Sequence, residues 1–127
     1  MSSELINHHL VQNPPGGPPV PTHIRLGKWS CVVRVAPEAL DGEDGTYERD
    51  KRGKCTITLE GWGCPVHSST LLHESLHFMD DILGIGLNEH QVRAFEFGLV
   101  EALRENPGLW YSLRYLVEGG DELAPDP

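Results

Sequence analysis

Two histidines four residues apart, His73 and His77, sit inside an apolar run of helical period, and that spacing constrains the chain more than any other feature. In an α-helix, residues one turn apart project from the same face, so the two imidazoles emerge side by side. The run S-T-L-L-H-E-S-L-H-F-M-D-D-I-L places Leu72, Leu76, Met79 and Leu83 along one stripe and Leu71, Phe78 and Ile82 along another, with the histidines between. A helix apolar on both sides of two imidazoles packs into its domain, and buried imidazoles need partners. Hydrogen bonds to core neighbours would satisfy them. A second solution comes from Glu74, which completes an H-E-x-x-H pattern: the imidazoles share a tetrahedral zinc ion, and the carboxylate serves as general base toward the metal-bound water.

Two histidines make only part of a catalytic zinc site, which takes three protein ligands and keeps one position open. Beyond the breaker Gly84-Ile85-Gly86, Asn88 and Gln91 have the spacing of a capping box. A helix is expected from there to about Glu105, and Asn106-Pro107 opens another. Its inward face reads as Val92, Phe95, Leu99 and Leu103, and Glu89 and Glu96 fall on the same stripe. Either carboxylate closes a two-histidine, one-glutamate site. Glu96 sits mid-stripe, level with His77 in a tight antiparallel hairpin. Glu89 lies at the helix start, where it would also favour the first turn and pair with Arg93 at i+4; Glu96 could pair with Arg93 at i−3.

The segment L-L-H-E-S-L-H-F-M-D-D-I-L-G-I-G-L-N-E-H-Q-V-R-A-F-E-F-G-L-V-E-A-L-R-E-N-P-G-L, within residues 70–109, resembles the small phage-type and mobile-element metallopeptidases of the gluzincin clan, the minigluzincin-like enzymes. In that clan the third zinc ligand is a Glu near the start of the helix after H-E-x-x-H. A small or β-branched residue follows three positions on, and Phe or Leu six on. Glu89, Val92 and Phe95 match this pattern. The resemblance thus implies a zincin-like fold and a zinc metalloendopeptidase with ligands His73, His77 and Glu89, Glu96 being the alternative third ligand, and Glu74 as base. The chain departs from larger relatives in a very short connection between the two helices and in Arg93, where many gluzincins carry an Asp.

A ligating imidazole usually donates its other N–H to a carboxylate or carbonyl, and Asp80 and Asp81, at i+3 and i+4 from His77, are the expected orienting groups. Amide hydrolysis also develops an oxyanion. Tyr111, Tyr115, His90 and His67 are the candidate donors to it, and for the two tyrosines core packing on the last helix is the competing explanation.

At 127 residues and 39% hydrophobic content, one domain with one modest core is expected, without a separate substrate domain. The formal net charge of −9 opposes nucleic acid or an anionic membrane as partner and suits a basic or unfolded peptide or protein substrate. No signal peptide or membrane-spanning apolar run is evident, so a cytoplasmic location is expected, the host cytoplasm if the chain is phage-encoded. Cys31, Cys55 and Cys64 lack paired metal-site spacing and read as reduced, with a Cys31–Cys55 contact between strands as the minor alternative.

Along the chain, residues 1–21 read as a Pro/Gly-rich tail in which His8 and His9 are solvated. Residues 22–120 form the domain and 121–127 an acidic tail. Strands are expected at 23–26, 30–36 and 54–59, a flexible loop at 41–53, and a last amphipathic helix carrying Leu109, Trp110, Leu113, Leu116 and Val117. The expected architecture is α+β, a small twisted antiparallel sheet of about three strands followed by three helices, with strand 54–59 as a free edge where an extended peptide could add. Two other functions remain open on the sequence: a zinc-binding but inactive interaction or assembly module of a phage or mobile element, and a metal-free helical domain.

Overall fold

The computed structural model describes residues 18–119. The N-terminal stretch through residue 17, with His8 and His9, and the acidic C-terminal stretch lie outside these residues.

Strands β1 (His23–Leu26) and β2 (Trp29–Val35) pair antiparallel across the two-residue connection Gly27-Lys28, where Gly27 at φ 63° supplies the left-handed backbone such a turn requires. A second antiparallel hairpin joins β3 (Gly45–Arg49) to β4 (Cys55–Leu59). Its turn is built on Asp50, whose Oδ1 accepts from the backbone N–H of Arg52 and of Lys54, each at 2.9 Å. The two hairpins join through β2 and β4, which run parallel, to give the strand order β1-β2-β4-β3.

The architecture is α+β, but the sheet has four strands and is mixed, where three antiparallel strands were expected. The additional strand, β3, lies inside the segment read as a flexible loop. Its sequence G-T-Y-E-R has one aromatic residue and two charges, because one face packs on a helix while its far end is exposed. The consequence reaches the site: strand 54–59 is central, not a free edge, and the outer position beside the helices belongs to β3.

Central β4 buries Cys55, Ile57, Thr58 and Leu59, the near-continuous burial of an interior strand. With Cys31 and Val33 of β2 they form the core, closed by Phe78 from helix α1 (Pro65–Leu83). Leu71 and Ile82 pack around it, so of the two apolar stripes on α1 it is the Leu71–Phe78–Ile82 stripe that meets the sheet. Part of the expected tail also belongs to the domain. Val20 packs against the core, and the Pro18 carbonyl accepts from Trp62 Nε1 at 3.3 Å. Cys31 and Cys55 face each other in register across β2 and β4 and are free thiols.

Helix α1 ends at Gly84, left-handed at φ 65°, and Asp80 Oδ1 then accepts from the backbone N–H of Gly86 at 2.7 Å and of Leu87 at 2.9 Å. This clamp makes the connection short. Helix α2 (Glu89–Glu105) starts immediately after Asn88, with both arms of the capping box formed: Gln91 N–H donates to Asn88 Oδ1 at 2.8 Å, and Asn88 N–H to Gln91 Oε1 at 2.9 Å. Its inward face is rotated from the expected one. Val92 is buried, Glu96, Val100 and Leu103 are half-buried, and Phe95 and Leu99 are exposed. Glu89 and Glu96 do face α1, as read from their place on the inward stripe, and the rotation centres the face on them, because imidazoles of α1 lie opposite. Helix α3 (Pro107–Glu118) packs on α2 and buries no residue, so Leu109, Trp110, Leu113, Leu116 and Val117 stand exposed, as do Tyr111 and Tyr115, contrary to the core packing read for the two tyrosines. Among the described residues no helix is long and apolar enough to cross a membrane.

Candidate metal centre

Helix α1 carries Ser69, His73, Glu74 and His77 along the wall of a cleft of about 900 Å³, bounded on one side by β3 with its lead-in loop and on the other by the first turns of α2. One turn of helix aligns the two imidazoles, whose ring centroids are 4.9 Å apart. The clamp on the interhelical connection sets Glu89, first residue of α2, across from both. His73 Nε2 lies 2.9 Å from Glu89 Oε2, and His77 Nε2 lies 2.9 Å from Glu89 Oε1. Arg93 Nε meets the same carboxylate at 3.1 Å, the i+4 pair anticipated from the sequence.

Glu96 occupies a different place. Its Oε1 lies 2.9 Å from Nδ1 of His73, the ring nitrogen that faces away from Glu89, and its Oε2 accepts from the Ser69 hydroxyl. The donor atoms that converge on one point are thus those of His73, His77 and Glu89, all within 4.8 Å of one another. Two imidazole nitrogens and a carboxylate oxygen with open cleft beyond them suit a divalent first-row transition metal, leaving room for a fourth ligand from solution.

Glu74 is 8% exposed and lines the same cleft, on the side of α1 that faces β3. Close helix–strand packing puts it there: a Cβ built on Gly45 would meet Thr70 Cγ2 on α1 at 2.7 Å and the Thr58 carbonyl oxygen at 3.1 Å, so glycine lets β3 come this near to α1, with Glu74 Cγ 3.5 Å from the same point. Burial raises the Glu74 carboxyl above the usual range; His73 and His77 pull it down, and the carboxylates of Glu89 and Glu43 push it up again. For Glu89, burial also acts upward, but His73, the hydrogen bond from His77 and Arg93 outweigh it and hold its carboxyl low.

The remaining expected site residues lie elsewhere. Asp80 spends its carboxylate on the interhelical clamp. Asp81 accepts from the Tyr47 hydroxyl at 2.6 Å and from Arg49 at 3.1 Å, tying α1 to β3. Neither is hydrogen-bonded to His77, because each side chain reaches a backbone or strand partner from the flank of the helix. Of the four candidate oxyanion donors, none lines the cleft. His67 faces Cys64 Sγ at 3.4 Å and packs over Gly61; His90 is exposed; Tyr111 and Tyr115 are exposed on α3.

Sequence reasoning missed Tyr47, Glu43 and Asp44, which line the cleft from β3 and its lead-in. The signal for them was the hairpin segment E-R-D-K-R-G-K, whose Asp and Gly mark a turn between two strands. The Tyr47 hydroxyl is pushed far above its ordinary value by burial and by its hydrogen bonds to Asp81 and Cys55, so it stays protonated as a donor. Comparison with protein-family models, with characterised proteins and with solved structures finds no match for this chain.

Proposed function

We propose that the protein is a zinc-dependent metalloendopeptidase. The observation that carries this reading is the convergence of the His73 and His77 Nε2 atoms on the two oxygens of one carboxylate, that of Glu89, with the buried Glu74 carboxylate in the same cleft. The donor set supports zinc over harder cations, which prefer all-oxygen ligation. The likeness of residues 70–109 to gluzincins supports the peptide bond as the one hydrolysed. A zinc ion held by His73, His77 and Glu89 would polarise the scissile carbonyl and acidify the attacking water.

The chain's own residues perform the rest. Glu74 takes the proton from the attacking water and delivers it to the leaving amine; its raised pKa brings proton affinity closer to that of a base working near neutrality. Strand β3, at the sheet margin and along the cleft, offers its outer edge to an extended peptide, which would add as a further strand and lie over the donor cluster. Glu43 and Asp44 in the lead-in to that strand favour basic side chains in the substrate. The substrate is thus a peptide or protein segment read in extended form.

A second reading, a zinc-binding interaction or assembly module without catalysis, is favoured by one observation: the four anticipated oxyanion donors all lie off the cleft. Elemental analysis of purified protein and Glu74→Gln separates the alternatives. The peptidase reading predicts near one zinc per chain, lost in His73→Ala and Glu89→Ala. It further predicts that Glu74→Gln keeps zinc and fold while peptide cleavage falls by about two to four orders of magnitude. Zinc bound with no cleavage of a degenerate peptide library supports the module, and absence of zinc after reconstitution refutes both.

A further inference from the structure

The two imidazoles of the donor cluster are held unequally. Among the described residues, His77 has its hydrogen-bonding contact at Nε2 alone, on the cluster side. His73 is gripped at both ring nitrogens: Nε2 faces Glu89 Oε2 and Nδ1 faces Glu96 Oε1, each at 2.9 Å. The Glu96 carboxylate is fixed in turn, because the hydroxyl of Ser69, one helical turn before His73, donates to its other oxygen. Both Glu96 oxygens are thereby engaged by α1, one by His73 and the other by Ser69. Glu89 and Glu96 lie seven residues apart, two turns on one face of α2, which sets one carboxylate level with each nitrogen of the same ring. The pair is also sheltered, with the His73 side chain 14% and the Glu96 side chain 22% exposed.

We propose that Glu96, braced by Ser69, is the positioning residue for His73: it accepts the Nδ1 proton, fixes the ring plane and leaves Nε2 as the metal-binding nitrogen. This rests on reading the cluster as a metal site. It assigns to α2 the orienting role that the sequence placed on Asp80 and Asp81, whose carboxylates serve the interhelical clamp and β3. It also separates Glu96 from the ligands. A carboxylate hydrogen-bonded to the far nitrogen of a ligating imidazole holds that ring in one orientation and raises its basicity, and losing such a partner weakens metal binding about 10- to 100-fold.

The test is zinc affinity, by competition with a chromophoric chelator, for wild type, Glu96→Ala, Glu96→Gln, Ser69→Ala and Glu89→Ala. Circular dichroism establishes that each variant is folded. Glu96→Ala is expected to keep one-to-one stoichiometry with affinity about 10- to 100-fold weaker. Glu96→Gln, which retains an acceptor oxygen, should recover most of the loss, and Ser69→Ala should lose a few-fold. Glu89→Ala should lose far more than any of them. The assignment is overturned if Glu96→Ala binds as tightly as wild type, or if it loses zinc as completely as Glu89→Ala, which would make Glu96 a ligand. Failure of the metal reading itself has a separate signature. Should wild type bind no zinc, nitrogen-15 histidine spectra of the metal-free protein still decide the positioning. A His73 Nδ1 proton protected from exchange in wild type and Glu96→Gln but not in Glu96→Ala upholds it, and equal exchange in all three overturns it.

Discussion

Gly45→Ala tests whether the cleft wall is set by backbone contact between β3 and α1. Gly45 does not need a left-handed conformation, so alanine there would ordinarily stabilise by about 0.4–1 kcal/mol through a stiffer unfolded chain. The packing reverses the sign. An added Cβ would meet Thr70 Cγ2 at 2.7 Å and the Thr58 carbonyl oxygen at 3.1 Å. The first distance is shorter than any stable carbon contact. The second involves β4 backbone, which cannot turn aside, and rotating Thr70 would break its hydroxyl bond to the Val66 carbonyl at 3.0 Å. Overpacking of this kind costs about 1–3 kcal/mol, which leaves a net destabilisation of about 1–2 kcal/mol and a melting temperature lower by several degrees. Adding Thr70→Ser removes the methyl group but keeps the hydroxyl, so the double variant should recover part of the loss, with a coupling of at least about 0.5 kcal/mol. Urea unfolding of the four proteins in the cycle measures this. A Gly45→Ala variant as stable as wild type would refute close packing as the reason for glycine, and with it the account of how β3 comes against Glu74.

Further predictions concern the interhelical clamp, the alkaline limb of stability and the thiols. Asp80→Ala leaves the Gly86 and Leu87 N–H groups without their acceptor and should cost about 1–3 kcal/mol by urea unfolding; because the clamp sets Glu89 against the histidines, zinc affinity should fall as well, and unchanged affinity would detach the clamp from the site. Cys31, pushed up to about 12 by burial and by Cys55 beside it, and Tyr47, raised further still by burial and its Asp81 bond, both hold their protons more tightly when folded. Their stabilisation is therefore whole below their ordinary values of 9.0 and 10.0 and is lost as pH rises above them, so the unfolding free energy should decline from about pH 9 upward, less steeply in Tyr47→Phe; a flat profile there would contradict the burial of both groups. In native protein at neutral pH, iodoacetamide should label exposed Cys64 and spare buried Cys31 and Cys55, with all three labelled in denaturant by mass spectrometry.

What the sequence made legible divides along the range of the interactions involved. The helix carrying His73, Glu74 and His77, its glycine stop and the Asn88–Gln91 capping box are local features, each decided within a few residues, and all were readable. Strand β3 was not. Its partner β4 follows closely, but its burial is conferred by α1, more than twenty residues away, and G-T-Y-E-R carries no periodicity strong enough to announce that. The position of β4 was misjudged for a related reason: a parallel pairing with β2 is a choice between distant segments, and residues 54–59 alone fit an edge or a centre equally well.

The orientation of α2 shows a different failure of pattern reading. Ranking residues by apolar size selects Val92, Phe95, Leu99 and Leu103 as its inner face, yet the structure leaves Phe95 and Leu99 exposed and turns Glu89, Val92, Glu96 and Val100 toward α1. Hydrophobic burial alone favours the other rotation by two large side chains. What opposes it is the cost of leaving two imidazoles on α1 facing an apolar helix without partners. Rotating α2 by roughly 60° about its axis gives His73 two carboxylate contacts and His77 one, and Val92 remains as the fully buried apolar residue of α2. The seam between α1 and α2 is thus largely polar, with the donor cluster as part of its structure. It follows that the same residues hold the helices together and build the site, and that a ligand binding His73, His77 and Glu89 would tighten that seam, linking occupancy directly to the stability of the helical half of the domain.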